Sequence, residues 1–315
     1  MLAAEIRKLA ICGQSILSQI FQIQFMVKNQ IDCIVRFHDS SRLLELNRCI
    51  FSLVGQFYKS LNIIIVVQRF TDEELCLLRA NLASLMKFPN CPTIQIENLT
   101  NSSSADARTE LLNLGLDAAR GQYVAFLDYD DVLYPEAYSI LVQNLRSTHA
   151  GIAFATVRLL SVDIFSQFLC AVKEAAAPFS GSSLSDLFRA NFCPIHSYLI
   201  DRSVVSADIL RFNTSLTWEE DYDLLLRICA TYASDFSALG TVIGDYYFKS
   251  DGSNTVAHSV GLSQDRVSEY AAVAAQIEVR RCITDVSAAV LRQLGIASKE
   301  NKMSIRDVIN VIGNK

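Results

Sequence analysis

Gly121–Ala137 reads GQYVAFLDYDDVLYPEA. Its apolar run, Tyr123 to Leu127, has no polar alternation, which marks a strand covered on both faces. The run then meets three carboxylates within four residues, Asp128, Asp130 and Asp131, and Pro135 opens a helix-like pattern. In open α/β sheets ligands bind beyond the carboxyl ends of the strands. Residues two apart on extended chain point the same way, so Asp128 and Asp130 are expected to reach toward one point. Carboxylates aimed together repel unless a positive charge lies between them or one takes up a proton. A hard divalent cation, Mg²⁺ or Mn²⁺, resolves this with one or two carboxylates plus phosphate oxygens. An alternative reading has Asp130 and Asp131 capping the helix near Pro135, with Asp128 solvated.

Outward from this stretch, strands and helices alternate. IDCIVRFHD (31–39), LNIIIVVQRF (61–70) and PTIQIENLT (92–100) read as strands. SSRLLELNRCIFSLVGQFY carries apolar residues at helical spacing, with Ser40 or Ser41 as cap. TDEELCLLRANLASLMKF reads as a helix capped by Thr71 or Asp72, with acids in its first turn. ARTELLNLGLDAAR is a helix stopped by Gly121. AGIAFATVRLL returns as a strand. The alternation over 31–160 predicts a mostly parallel α/β sheet. Residues 161–195 read as irregular, with a short helix at DLFRANF. A strand (HSYLIDRSVV), a helix (WEEDYDLLLRICATY) and a strand (TVIGDYYFKSD) follow, and the chain reads helical from about Leu262, broken near Gly295.

The chain has 315 residues, 51% hydrophobic and 19% charged, enough for one large domain with an appendage. A net charge of −5 disfavours a general nucleic-acid binder, which needs a basic field. Nine cysteines without a C-x-x-C pair, mostly inside apolar runs, point to reduced core thiols and a cytoplasmic setting. The first 29 residues show neither a secretory signal nor an uninterrupted membrane span. They read as amphipathic helix for packing on the body or a partner, with peripheral contact to the inner face of a membrane the weaker alternative.

A second acidic cluster lies in TWEEDYDLLLR, Thr217 to Arg227. Acids at a helix N-terminus are favoured by the macrodipole whatever else they do. Trp218 beside them offers a flat platform for a sugar, and an acid here suits a general base for an acceptor hydroxyl.

LLNLGLDAARGQYVAFLDYDDVLYPEA resembles the central signature of the family-2 glycosyltransferases, an N-x-G helix before an A-x-G-x-Y strand ending in D-x-D-D. WEEDYDLLLR resembles the family's later E-D motif, with HSYLIDRSVV and IGDYYFKSDGSNT in the usual order around it. The resemblance covers about residues 31–255. It implies a GT-A fold, a Rossmann-like α/β/α sandwich, over residues 30–257, with an N-terminal helical segment (1–29) and a C-terminal helical extension (258–315). It implies an inverting displacement from a nucleoside-diphosphate sugar, UDP-linked first, onto a hydroxyl of a glycan or other acceptor, in polysaccharide assembly. Asp128 and Asp130, with Asp131 close by, would hold Mn²⁺ or Mg²⁺. Asp221, with Glu220 beside it, would be the base. Asn113 and Gly115 would shape the donor side, with Phe37 and Tyr129 among the donor residues.

The chain departs from the family pattern in three places. The first strand ends in RFHD where the family has P-x-Y-N, placing Arg36 and Asp39 there. Gln68 and Arg69 follow the second strand in place of the base-contacting aspartate. Leu112 replaces an arginine, and Arg108 one turn earlier is the substitute. Arg36 and Arg69 are expected to face the diphosphate. His196 is a candidate for the acceptor side and His258 for an extra metal ligand, each weighed against a structural or solvated histidine. The tail beyond residue 284 reads as packing or an oligomer contact. Two rival functions stand beside this reading. A nucleotidyltransferase would need a glycine-rich loop that RFHDSSRLLEL lacks; a non-catalytic nucleotide-sugar-binding module would fit the Gln68 departure.

Overall fold

The computed structural model describes residues 26–102, 104, 106–165, 168–174, 180–250, 264–297 and 302–313. Residues 1–25 of the segment expected to be helical, and His258, lie outside the described residues, while its last three residues, 27–29, open the first strand rather than a helix. Strands β1 (Val27–Phe37), β2 (Leu61–Gln68), β3 (Thr93–Leu99) and β4 (Gly121–Asp128) form a parallel half-sheet in the order β3-β2-β1-β4. The sheet continues through β8 (Tyr198–Asp201), β6 (Ile152–Ile164), β9 (Ser234–Lys249) and the two-residue β5 (Val132–Leu133), with β7 (Leu169–Glu174) paired to β6. In this second half β8 runs antiparallel to β4 and to β6, while β9 is parallel to β6.

Helix α1 (Leu43–Val54) follows β1, α2 (Asp72–Leu82) follows β2, α3 (Arg108–Ala118) precedes β4 and α4 (Ala137–Thr148) follows β5. Further on come α5 (Leu184–Arg189), α6 (Glu220–Thr231), α7 (Gln264–Ile283), α8 (Ala288–Gln293) and α9 (Ile305–Gly313). Helix α2 starts as its sequence predicts, with Thr71 and Glu74 forming a reciprocal capping box. Helix α1 does not: neither serine caps it, because the Ser40 hydroxyl donates to Glu74 and that of Ser41 to Asp39. The segment read as irregular after Leu160 instead extends β6 to Ile164 and returns as β7, an antiparallel pair.

Period-two alternation sorts the central strands onto two cores. Ile31, Cys33, Val35 and Phe37 of β1 and Tyr123, Ala125 and Leu127 of β4 face one way, against α1, α2 and α4. Ile34 of β1, Ile64 and Val66 of β2, and Val124 and Phe126 of β4 face the other, against α3, α5 and α6. The C-terminal helices join this second core through Val273, Ile277, Val290, Leu291, Ile305 and Val308. The tail is thus packed against the body, one of the two uses expected of it. Extending the same alternation to the strand ends puts Arg36, Gln68 and Asp128 on the face that α3 and α6 cover. Pocket and chemistry follow from that parity.

Candidate active site at the carboxyl edge of the parallel strands

Arg36 and Asp128 are register partners on adjacent strands β1 and β4. The Arg36 guanidinium forks onto the carboxylate, Nε donating to Oδ1 and Nη2 to Oδ2, both at 2.9 Å. Its remaining arm, Nη1, donates to Glu220 Oε1 at 2.8 Å. Arg36 therefore ties the end of β4 to the first residue of α6, itself 184 residues further along the chain than Arg36. Burial pushes the Asp128 carboxyl up, but the charge and fork of Arg36 outweigh it and hold the group below its usual range.

Strand β4 ends at Asp128, and Asp131 N–H donates back to the Asp128 carbonyl at 3.1 Å, making a turn. The strand alternation that would aim Asp128 and Asp130 together stops at Asp128, two residues short of Asp130. Asp130 goes instead to Lys249 at the end of β9, whose ammonium donates to Oδ2 at 2.5 Å. Arg48 of α1 donates to the Asp130 carbonyl at 2.9 Å and stacks 4.6 Å from the centre of the Tyr247 ring. Asp131 is buried, accepts the Tyr247 N–H at 2.8 Å and lies 3.5 Å from His196 Nδ1. Burial, then the charges of Asp130 and Asp128, push its carboxyl well up, so Asp131 is held toward the neutral form.

A divalent cation is what the resemblance implies for these carboxylates, and their arrangement does not fit one. Each Asp128 oxygen accepts from a guanidinium, Asp130 Oδ2 accepts from an ammonium, and Asp131 is turned into the core. Among the described residues no group of three or more His, Cys, Asp or Glu side chains is placed to hold a metal ion.

The base candidate stands on α6. Asp221 Oδ1 accepts the backbone N–H of Tyr222 at 2.7 Å and a 3.4 Å hydrogen bond from the Asn191 amide. Burial first, then the neighbouring Glu220 and Glu219, push its carboxyl up to about 7. A carboxylate tuned there is a competent proton acceptor near neutral pH. Helix α6 is held from behind: buried Asp223 accepts from Arg227 Nε at 2.9 Å and from Arg280 Nε of α7 at 2.6 Å. Arg281 of α7 also donates to the Tyr222 hydroxyl at 2.8 Å.

The other sequence candidates divide. Gln68 and Arg69 both donate to the Ser104 carbonyl, and the Gln68 amide oxygen accepts from Ala107 N–H at 3.4 Å. Together they hold the loop before α3. Arg108 forks onto Asp106 in that same loop. The Asn113 amide exchanges two hydrogen bonds with the Phe212 backbone, at 3.0 and 2.9 Å, clamping the chain that leads to α6. Gly115 lets α3 lie on β1: a Cβ there would stand 2.4 Å from Ile34 Cγ2. Asn113 and Gly115 thus act on packing.

Phe37 is fully buried, edge-on to Phe70 and Tyr129, and contributes to the core. Tyr129 lies under the Lys249 ammonium, 5.8 Å from ring centre to nitrogen. His196 is 2% exposed and stacked on Tyr246, leaving it no face for an acceptor. Burial pushes its imidazole down to about 4, so it is neutral. Trp218 packs on Tyr270 of α7 at 4.8 Å between ring centres. Sequence reading missed Lys249, Arg48 and Asn191. Lys249 is legible only as the charged end of an otherwise aromatic strand, YYFK.

A parallel half-sheet extended by antiparallel strands, with a charged cluster at its carboxyl edge and the acidic helix α6 tied to it through Arg36, has the GT-A architecture. The chain belongs to glycosyl transferase family 2, whose profile matches residues 33–205, more than half of its length. It is 29% identical over 116 residues to the uncharacterised glycosyltransferase YibD of Escherichia coli (strain K12). That match spans 36% of this chain and 30% of YibD. Among solved structures it is similar to S. aureus TarS 1-349 in complex with UDP-GlcNAc, with a TM-score of 0.58 at 14% identity over 82% of this chain and 68% of that one. The complex of the same protein with UDP superposes with a TM-score of 0.57 at 14% identity, covering 82% and 68%. At that identity the likeness is one of fold.

Proposed function

We propose that the chain moves a sugar from a nucleoside-diphosphate sugar, UDP-linked first, to an acceptor hydroxyl by a single inverting displacement. The observation that carries this is Asp221, raised to about 7 on a helix that Glu220, Arg36 and Asp128 pin to the strand ends. The acceptor oxygen forms its bond to the anomeric carbon as the bond from that carbon to the diphosphate oxygen breaks. The bonding pair leaves on the diphosphate, and the acceptor proton passes to Asp221. Proton transfer to a placed base of this kind contributes roughly 10²–10⁴ in rate.

The nucleotide end falls to the loop before α3, framed by Gln68, Arg69 and Arg108. The UDP preference is supported by the nucleotides bound to the TarS structures. No described helix is long and apolar enough to cross a membrane. The domain limits proposed are the transferase body at 30–257 and the helical extension at 258–315, the described part of the latter bracing α6 through Arg280 and Arg281. A thermal-shift screen of UDP, GDP, CDP, ADP and dTDP tests the reading, since a ligand that binds the folded state raises its apparent stability. UDP should shift the transition most; no shift with any of the five contradicts the proposal.

A further inference from the structure

The acidic edge of this sheet carries its own counter-ions. Asp128, Asp130 and Glu220 converge on the strand ends, where three carboxylates meet two cations: Arg36 pairs with the first and last and Lys249 with Asp130, leaving one net negative charge. Arg36 enters by the departure already visible in sequence, a cation where the family pattern has proline, at the strand position in register with Asp128. This placement is set by the backbone: on parallel neighbours, residues in register on one face lie side by side. A second positive ion brought to Asp128 or Asp130 would meet a guanidinium or an ammonium at salt-bridge distance. Like charges at that separation repel. The guanidinium has five N–H groups, of which the fork and the Glu220 arm use three, leaving donors for a further anion.

Resting on the function proposed above, we infer that this chain binds the diphosphate of its donor without a divalent metal, Arg36 supplying the positive charge that receives the leaving group and Lys249 keeping Asp130 neutralised. As the bond to the anomeric carbon breaks, the pair left on the diphosphate oxygen is stabilised by a guanidinium fixed before the reaction, the arrangement that gives electrostatic catalysis its strength.

The test has a metal arm and a nucleotide arm. Titrating Mn²⁺ into the full chain and reading the free-ion electron spin resonance signal should show no more binding by wild type than by the Asp128→Asn/Asp130→Asn variant. Arg36→Ala, which releases Asp128, should gain a Mn²⁺ site. In EDTA, the responding nucleoside diphosphate should bind as tightly as with Mn²⁺. Arg36→Gln should weaken it roughly tenfold or more while leaving the parent nucleoside unchanged, as for loss of a charge-assisted phosphate contact. Lys249→Met checks the second cation should Arg36→Gln fail to fold, and should open Asp130 to Mn²⁺. Wild-type Mn²⁺ binding that Asp130→Asn abolishes, or nucleotide binding lost in EDTA, overturns the inference. A silent Mn²⁺ titration with no nucleotide response would remove the glycosyl-transfer reading and leave the internal ion pairs standing.

Discussion

Arg36 and Asp128 stand side by side on adjacent parallel strands, and the guanidinium of one holds both carboxylate oxygens of the other. From that pair the site is built outward, since the same guanidinium reaches Glu220 and fixes where α6, and therefore Asp221, begins. The bridge joins the strand end to the helix that carries Asp221.

The proposed role of Asp221 as base predicts a pH dependence. The carboxyl must be ionised to accept the proton, so kcat should rise with pH through about 7 and level off above it. Asp221→Asn should lower kcat by roughly 10²–10⁴, with a much smaller effect on donor affinity. A raised carboxyl costs stability once it ionises. Between the ordinary aspartate value and about 7 the folded state binds more protons than the unfolded one, so this contribution falls as pH rises through that window. Asp221→Asn should therefore melt higher than wild type at pH 8, with the difference shrinking toward pH 4; thermal melts across that range check it.

Asp223 is the structural counterpart. It is buried and pairs with Arg227 on its own helix and Arg280 on α7. Asp223→Ala leaves two guanidinium groups without their partner and should cost roughly 3–5 kcal/mol in urea denaturation. Because this pairing ties α7 to α6, Arg280→Ala should weaken the protein in the same direction. A double-mutant cycle with Asp223→Ala should show strong coupling.

Gly115→Ala should destabilise by roughly 1–3 kcal/mol, because the added methyl enters the space of Ile34. Ile34→Ala, which removes the Cγ2, Cγ1 and Cδ1 atoms that the new carbon meets, should make room for it, so the double variant should lose less than the sum of the two single losses in unfolding free energy.

Asn113→Ala tests whether that side chain serves packing or the donor. Losing both hydrogen bonds to Phe212 leaves a backbone N–H and carbonyl without their partners and should cost about 1–3 kcal/mol. Donor KM should change less than stability. A large KM rise with unchanged melting would return Asn113 to the donor side.

The fold was legible because its signals are local. Unbroken β-branched runs such as Ile63–Val67 and the helices between them demand a parallel sheet with both faces covered. The β6–β7 pair was missed because Phe165–Cys170 lacks a strong turn signature, and strand pairing depends on a distant partner. Within the site, Asp128, Asp130 and Asp221 were visible as residues, but not their neighbours. Whether Asp130 follows strand alternation depends on where β4 stops, and it stops two residues short. Lys249 and Asp130 are 119 residues apart, and no spacing rule links them. His196 stands near the acids in sequence logic, yet its burial, which removes it from the acceptor side, is a property of packing alone.

The most direct measurement is the rate at which purified wild type and Asp221→Asn release nucleoside diphosphate from a panel of nucleotide sugars at pH 8. The account predicts turnover of at least one donor by wild type and near-complete loss in the variant, with the donor still bound. Turnover unchanged by Asp221→Asn, or no donor consumed by wild type across the panel, would contradict it.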